Sequence, residues 1–247
     1  MVPTTLSTHP LPPMGDRHDN FMDFFTIPAI PPSIADNNRR FYPSLADAHP
    51  SDLFAVRCNL CSLPGYRFIH KDNQKQMLMF IDGACCNDGS VDALGGCGVV
   101  FSSTHWAQPI AYPLENDGIT HTSNHAELRA ALLALGLRVW NGEGFNSVVL
   151  ACDSQYVVCG ASEYLNEWIN NGWVANNGTP VKNRDLWEKL LEKMRHLESY
   201  GVQVQFWLIP REWNEAGKYA KDGAVGSPTS YHIEEHDHDL GPIGKRY

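Results

Sequence analysis

With 247 residues, 43% of them hydrophobic, the chain holds enough apolar material for one well-buried domain and some excess, and too little for three. No apolar run reaches the roughly 18 residues that a membrane-spanning helix needs, and a net charge of −9 excludes a protein that grips nucleic acid by cationic surface alone. Seven cysteines, an odd number with Cys85 adjacent to Cys86, speak against a secreted disulfide framework. They point to a reducing intracellular compartment: nucleus or cytoplasm, with the mitochondrion as a further candidate.

Nine of the sixteen prolines fall in the first fifty residues, where neither helical nor strand periodicity survives. Residues 1–75 are therefore expected to form a disordered or loosely packed leader, in which Phe21, Met22, Phe24 and Phe25 make one apolar knot that packs casually or meets a partner. Order is expected from residue 76, where Met77 to Ile81 form a continuous apolar run, a central strand ending at Asp82 and a turn at Gly83. Residues 95–102 and 107–114 read as two more strands of an antiparallel meander. Ser123 opens a helix whose Ala126, Leu128, Ala131, Leu132 and Leu135 recur with helical spacing.

A fourth strand follows at 147–152. Residues 155–158 and 164–169 read as helical, and 170–180 as a polar loop. An amphipathic helix spans 184–200, a fifth strand 202–209 and a last helix 214–224. Strands and helices in this order predict an α/β domain over residues 76–226: a mixed five-stranded sheet, antiparallel meander plus parallel strands, flanked by helices. Residues 227–247 form an acidic tail containing His232, His236 and His238.

Residues 80–160 hold two basic against eight acidic side chains, which is either a solvated acidic surface or a cation site. Asp82 and Asp153 each stand at a predicted strand end, and Glu127 stands in the first turns of a helix that crosses the sheet, so the three carboxylates can share one pocket. Like charges that close disfavour joint ionisation, and a hard divalent cation with oxygen ligands, Mg²⁺ or Mn²⁺, relieves them. Taken singly, each carboxylate reads as a strand terminator or a helix cap.

Three phrases carry a more specific message. Phe80-Ile81-Asp82-Gly83-Ala84-Cys85 with Gly95-Gly96-Cys97-Gly98-Val99, then Thr122-Ser123-Asn124-His125-Ala126-Glu127, then Cys152-Asp153-Ser154-Gln155-Tyr156-Val157 resemble, in this order, the type 1 ribonuclease H family, with the flavour of its divergent fungal members. The resemblance implies a ribonuclease H fold and endonucleolytic cleavage of the RNA strand of an RNA–DNA hybrid, leaving a 3′-hydroxyl and a 5′-phosphate. It also implies Asp82, Glu127 and Asp153 as ligands of Mg²⁺ or Mn²⁺ in a two-metal mechanism, and Asn183, within Val181-Lys182-Asn183-Arg184-Asp185-Leu186-Trp187, as a phosphate or sugar contact. Hybrids are distinguished by 2′-hydroxyls and groove shape, so Asp88, Thr122, Ser123 and Asn124 beside the metal site are candidate substrate contacts. The hybrid is the expected partner of a chain acting as a monomer without a membrane; the partner of the leader is not indicated.

The pattern breaks at the family's fourth carboxylate. Aligning the last helix by residues 220–224 puts Gly217 at that position. Asp222 lies about 140° further round the helix, and Glu215 is the possible substitute ligand. Thr120 stands where some members carry a phosphate-gripping Arg, and the segment 209–214 stands where others carry a mobile histidine. Two outcomes stay open: a hydrolase with weakened water activation, or a catalytically silent module that binds nucleic acid or protein. Cys58 and Cys61 have the spacing of half a zinc site without a second pair. Lys182, Arg184, Lys189, Lys193 and Arg195 form either a basic edge or a paired solvent face with Glu188 and Glu192. Trp168, Trp173 and Trp187 are core residues or base-stacking platforms.

Overall fold

The computed structural model describes residues 39–59, 65–115 and 118–226. The aromatic knot at Phe21, Met22, Phe24 and Phe25, Cys61 and the tail histidines His232, His236 and His238 lie outside these residues. No helix among the described residues is long and apolar enough to cross a membrane.

The sheet has seven strands, two more than the sequence predicts. β1 (Phe54–Cys58) and β2 (Tyr66–His70) precede the expected start of order and are preceded in turn by a one-turn helix, α1 (Pro50–Leu53), capped by His49. β3 (Gln76–Cys86) is central. Its start pairs antiparallel with β2, its later part pairs antiparallel with β4 (Leu94–Val100), and β6 (Ser147–Cys152) runs parallel to it over residues 76–80. β5 (Ile110–Pro113) extends the meander beyond β4, and β7 (Gln203–Leu208) runs parallel to β6. Residues 39–41 then line the outer side of β7, with Phe206 N donating to the Arg39 carbonyl at 2.7 Å and Phe41 N to the Phe206 carbonyl at 2.9 Å.

Side chains alternate across β3 and so divide between two cores. Met77, Met79 and Ile81 face a large cluster with α2 (Ser123–Gly136) and the apolar stripe of α5 (Arg184–Ser199), made of Leu186, Trp187, Leu190, Leu191, Met194 and Leu197. Leu78 and Phe80 face a smaller one with Phe41, Phe54, Trp207 and Ala216, the last of which caps α6 (Gly217–Ala224). α6 lies almost backbone to backbone on β4: a Cβ at Gly96 would sit 2.1 Å from Ala224 N, and one at Gly98 2.3 Å from the Ala216 carbonyl oxygen. After β6 the chain forms α3 (Gln155–Cys159), a π-helical turn at Gly160–Tyr164 and α4 (Leu165–Asn170) without a break, where two separate helices were expected. Trp187 is fully buried, Trp173 nearly so, and Trp168 packs against the same cluster, so the three belong to the core.

A buried ion pair explains why β2 escapes a hydrophobic pattern. Arg67 points inward and donates through Nε and Nη2 to Glu143 at 3.0 and 2.9 Å, while Arg138 pairs with the same carboxylate. Charged side chains survive burial only when paired in this way.

Candidate active site

Asp82 does not end its strand. β3 continues four residues past it, paired to β4 all the way, with Asp82 opposite Gly98. What ends there is the neighbour on the other edge: β6 stops at Cys152. The register Phe80↔Ala151 puts Asp82 and Asp153 level two residues further on, beside the space that β6 vacates. Gly83 is not a turn residue. It lies in β3, and a Cβ added there would sit 2.1 Å from Glu127 N and 2.2 Å from the Ala126 carbonyl carbon. The missing side chain is what allows α2 to press against the strand and bring Glu127 beside Asp82.

Burial and neighbouring charge both act on Asp82 and Glu127. Burial, then the charges of Asp82 and Asp153, push Glu127 up to about 9, with the Gly83 N–H and Arg211 opposing. Burial, then Asp153, push Asp82 up to about 6, against Arg211, the Gly83 N–H and Lys221. Glu127 Oε2 is buried and accepts no hydrogen bond. A buried acceptor without a partner is costly, and this carboxyl also feels the charges of Asp82 and Asp153. A donor set of carboxylate oxygens alone suits Mg²⁺ or Mn²⁺. As they stand, no three His, Cys, Asp or Glu side chains among the described residues close around a single point.

Asp153 is held by a residue that the sequence does not single out for the task. Asn214 Nδ2 donates to Asp153 Oδ1 at 2.7 Å and to the Ile81 carbonyl at 2.9 Å, while its Oδ1 accepts from Ala216 N at 3.1 Å. One amide thus ties the strand before Asp82, the carboxylate after β6 and the entry to α6. Arg211, in the short 3₁₀ turn Arg211–Trp213, and Lys221, on α6, are the cations felt by the site. Neither role is visible without the fold, because both residues are more than fifty positions from the nearest of Asp82, Glu127 and Asp153.

The other predicted residues fall into separate groups. Asp88 accepts from Ser123 N at 3.2 Å and from Ser123 Oγ at 2.9 Å, and Thr122 Oγ1 caps α2 by accepting from His125 N. Ser123 and Glu127 are one turn apart on the same helix face, so this group adjoins the carboxylates. Asn124 beside them is exposed. Asn183, with φ 55° at the start of α5, donates through Nδ2 to Tyr156 Oη at 3.1 Å, and Trp187 Nε1 donates to the same oxygen at 3.0 Å. The Tyr156 hydroxyl therefore fixes Asn183 to α3, the helix that follows Asp153. Glu215 lies at the surface beside His49, whose charge opposes the upward push that local burial gives its carboxyl; none of the three carboxylates acts on it. Gly217 is the first residue of α6, and a Cβ there would meet Asp82 Oδ2 at 3.4 Å and nothing else within 4 Å.

Comparison with known proteins identifies the family. The RNase H family profile matches residues 74–206, just over half of the chain. A ribonuclease H of Geotalea uraniireducens is 39% identical over 113 residues, covering 46% of this chain and 69% of that protein. One of Actinobacillus succinogenes is 36% identical over 114 residues (46% and 67%), and one of Treponema pallidum 31% over 118 residues (46% and 70%). The chain belongs to the ribonuclease H family, hydrolases that cleave the RNA strand of RNA–DNA hybrids.

Proposed function

We propose that the gap beside β3 is where this chain hydrolyses the RNA strand, with Asp82, Glu127 and Asp153 as the ligands of a divalent cation. The observation that carries this is the buried, unpartnered Glu127 Oε2, on a carboxyl that feels the charges of Asp82 and Asp153. When bound, the cation supplies Lewis acidity, which lowers the pKa of water and stabilises charge on the leaving oxygen. Asn214 orients Asp153 by holding Oδ1. Gly83 sets the depth at which Glu127 enters. Thr122, Ser123, Asp88 and the exposed Asn124 present short polar groups at the start of α2, suited to 2′-hydroxyls and sugar edges of a hybrid rather than to bases. Asn183, held by Tyr156, offers a second polar contact along the duplex.

Cleavage of a labelled RNA–DNA hybrid in Mg²⁺ and in Mn²⁺, with Asp82→Asn beside the native chain, tests this. Native cleavage that disappears in the variant is the expected result. Hybrid binding without cleavage in both proteins would instead establish the catalytically silent module that Gly217 brings into view.

A further inference from the structure

The face of α6 turned toward Asp82 carries a glycine and, one turn on, a lysine. A Cβ at Gly217 would point at Asp82 Oδ2 and otherwise into open space. Residues i and i+4 share a helix face, offset by about 40°, and helical side chains lean toward the N-terminus of their helix. Lys221 therefore belongs to the helix face that Gly217 opens toward Asp82. It is exposed, and no described carboxylate forms an ion pair with it. Arg211 likewise pairs with no described carboxylate.

Charge bookkeeping then favours one ion. Three carboxylates and a phosphodiester are balanced by Arg211, Lys221 and a single divalent cation. A second ion would add two positive charges at the position where Gly217 offers no ligand. We propose that this site works with one divalent ion and that the Lys221 ammonium supplies the second positive charge, contacting a non-bridging oxygen of the scissile phosphodiester. This rests on the hydrolase function proposed above. The bond changes are those of hydrolysis: a water oxygen bonds to phosphorus as the P–O3′ bond breaks, one water proton ends on the 3′ oxygen, and the other leaves with the phosphate monoester or to solvent. Lys221 stays protonated throughout.

The test compares native chain, Lys221→Gln and Lys221→Arg by Mn²⁺ titration and by hybrid cleavage at saturating substrate, with thermal melting as the folding control. The native chain is expected to bind one Mn²⁺. Lys221→Gln is expected to tighten Mn²⁺ about 5-fold by removing a like charge while slowing cleavage at least ~10-fold, and Lys221→Arg to restore most of the rate. A structural role would not move affinity and rate in opposite directions. Two bound Mn²⁺ ions, or unchanged cleavage in Lys221→Gln, would overturn the inference while leaving an Asp82-dependent hydrolase intact. A native chain that neither binds Mn²⁺ nor cleaves would overturn both.

Discussion

Asp82 is approached by two helices, and the glycine at each approach has a different reason to be there. On the α2 side Gly83 meets backbone: any side chain would overlap Glu127 N and the Ala126 carbonyl carbon. On the α6 side Gly217 meets one carboxylate oxygen at ordinary van der Waals distance. Packing dictates the first glycine and leaves the second to chemistry. Position 83 therefore belongs to the architecture of the fold, and position 217 to the charge balance of the site.

Substitutions should separate the two. Gly83→Ala is expected to have the largest effect, because rigid helix backbone cannot yield to a Cβ at 2.1 Å. A loss of at least ~3 kcal/mol of stability, read by urea unfolding, together with loss of cleavage, is expected from such overpacking. A melting curve like that of the native chain would mean that α2 is free to move off β3. Asn214→Ala comes next. It frees Asp153 Oδ1 and leaves the Ile81 carbonyl without its donor, so stability should fall by about 1–3 kcal/mol and cleavage by more than the fold alone explains. An equal kcat with only a lower melting temperature would reduce Asn214 to a structural tie. The smallest effect belongs to Gly217→Ala, for which the space exists: stability should rise by up to ~1 kcal/mol from the better helix former, and any marked destabilisation would show that α6 lies closer to β3 than described.

The same contrast explains how much of the molecule is legible in the sequence. Asp82, Glu127 and Asp153 are readable because each sits in a short phrase of fixed order, and five of the strands follow from apolar runs and alternation. β2 is hidden because Arg67 takes an inward position and its partner Glu143 lies 76 residues away, so the apolar alternation breaks at a buried position; β1 is hidden because Phe54 alone of its five residues is buried. Gly83 reads as the end of a strand because turns also use glycine; only the position of α2 reveals a strand that continues. Gly217 is legible as an absence, whereas Lys221 gains meaning only when helix periodicity and the direction toward Asp82 are combined. Asn214 is invisible as a brace, because two of its three partners, Ile81 and Asp153, lie 133 and 61 residues away.

The central claim is that Asp82, Glu127 and Asp153 form a cation site, and its most direct test is the proton count of ion binding. Both raised groups hold protons in the folded chain that the unfolded chain releases. Their contribution to stability is therefore full below the usual carboxylate range and is lost as pH rises through about 6 for Asp82 and about 9 for Glu127. At pH 7.5 Glu127 is still protonated, and ligation requires its anion. Calorimetric titration of Mn²⁺ in two buffers of different ionisation enthalpy should show about one proton released per ion bound, with that release lost in Glu127→Gln. Absence of Mn²⁺ binding, or binding that releases no proton and persists unchanged in Glu127→Gln and Asp82→Asn, would contradict it.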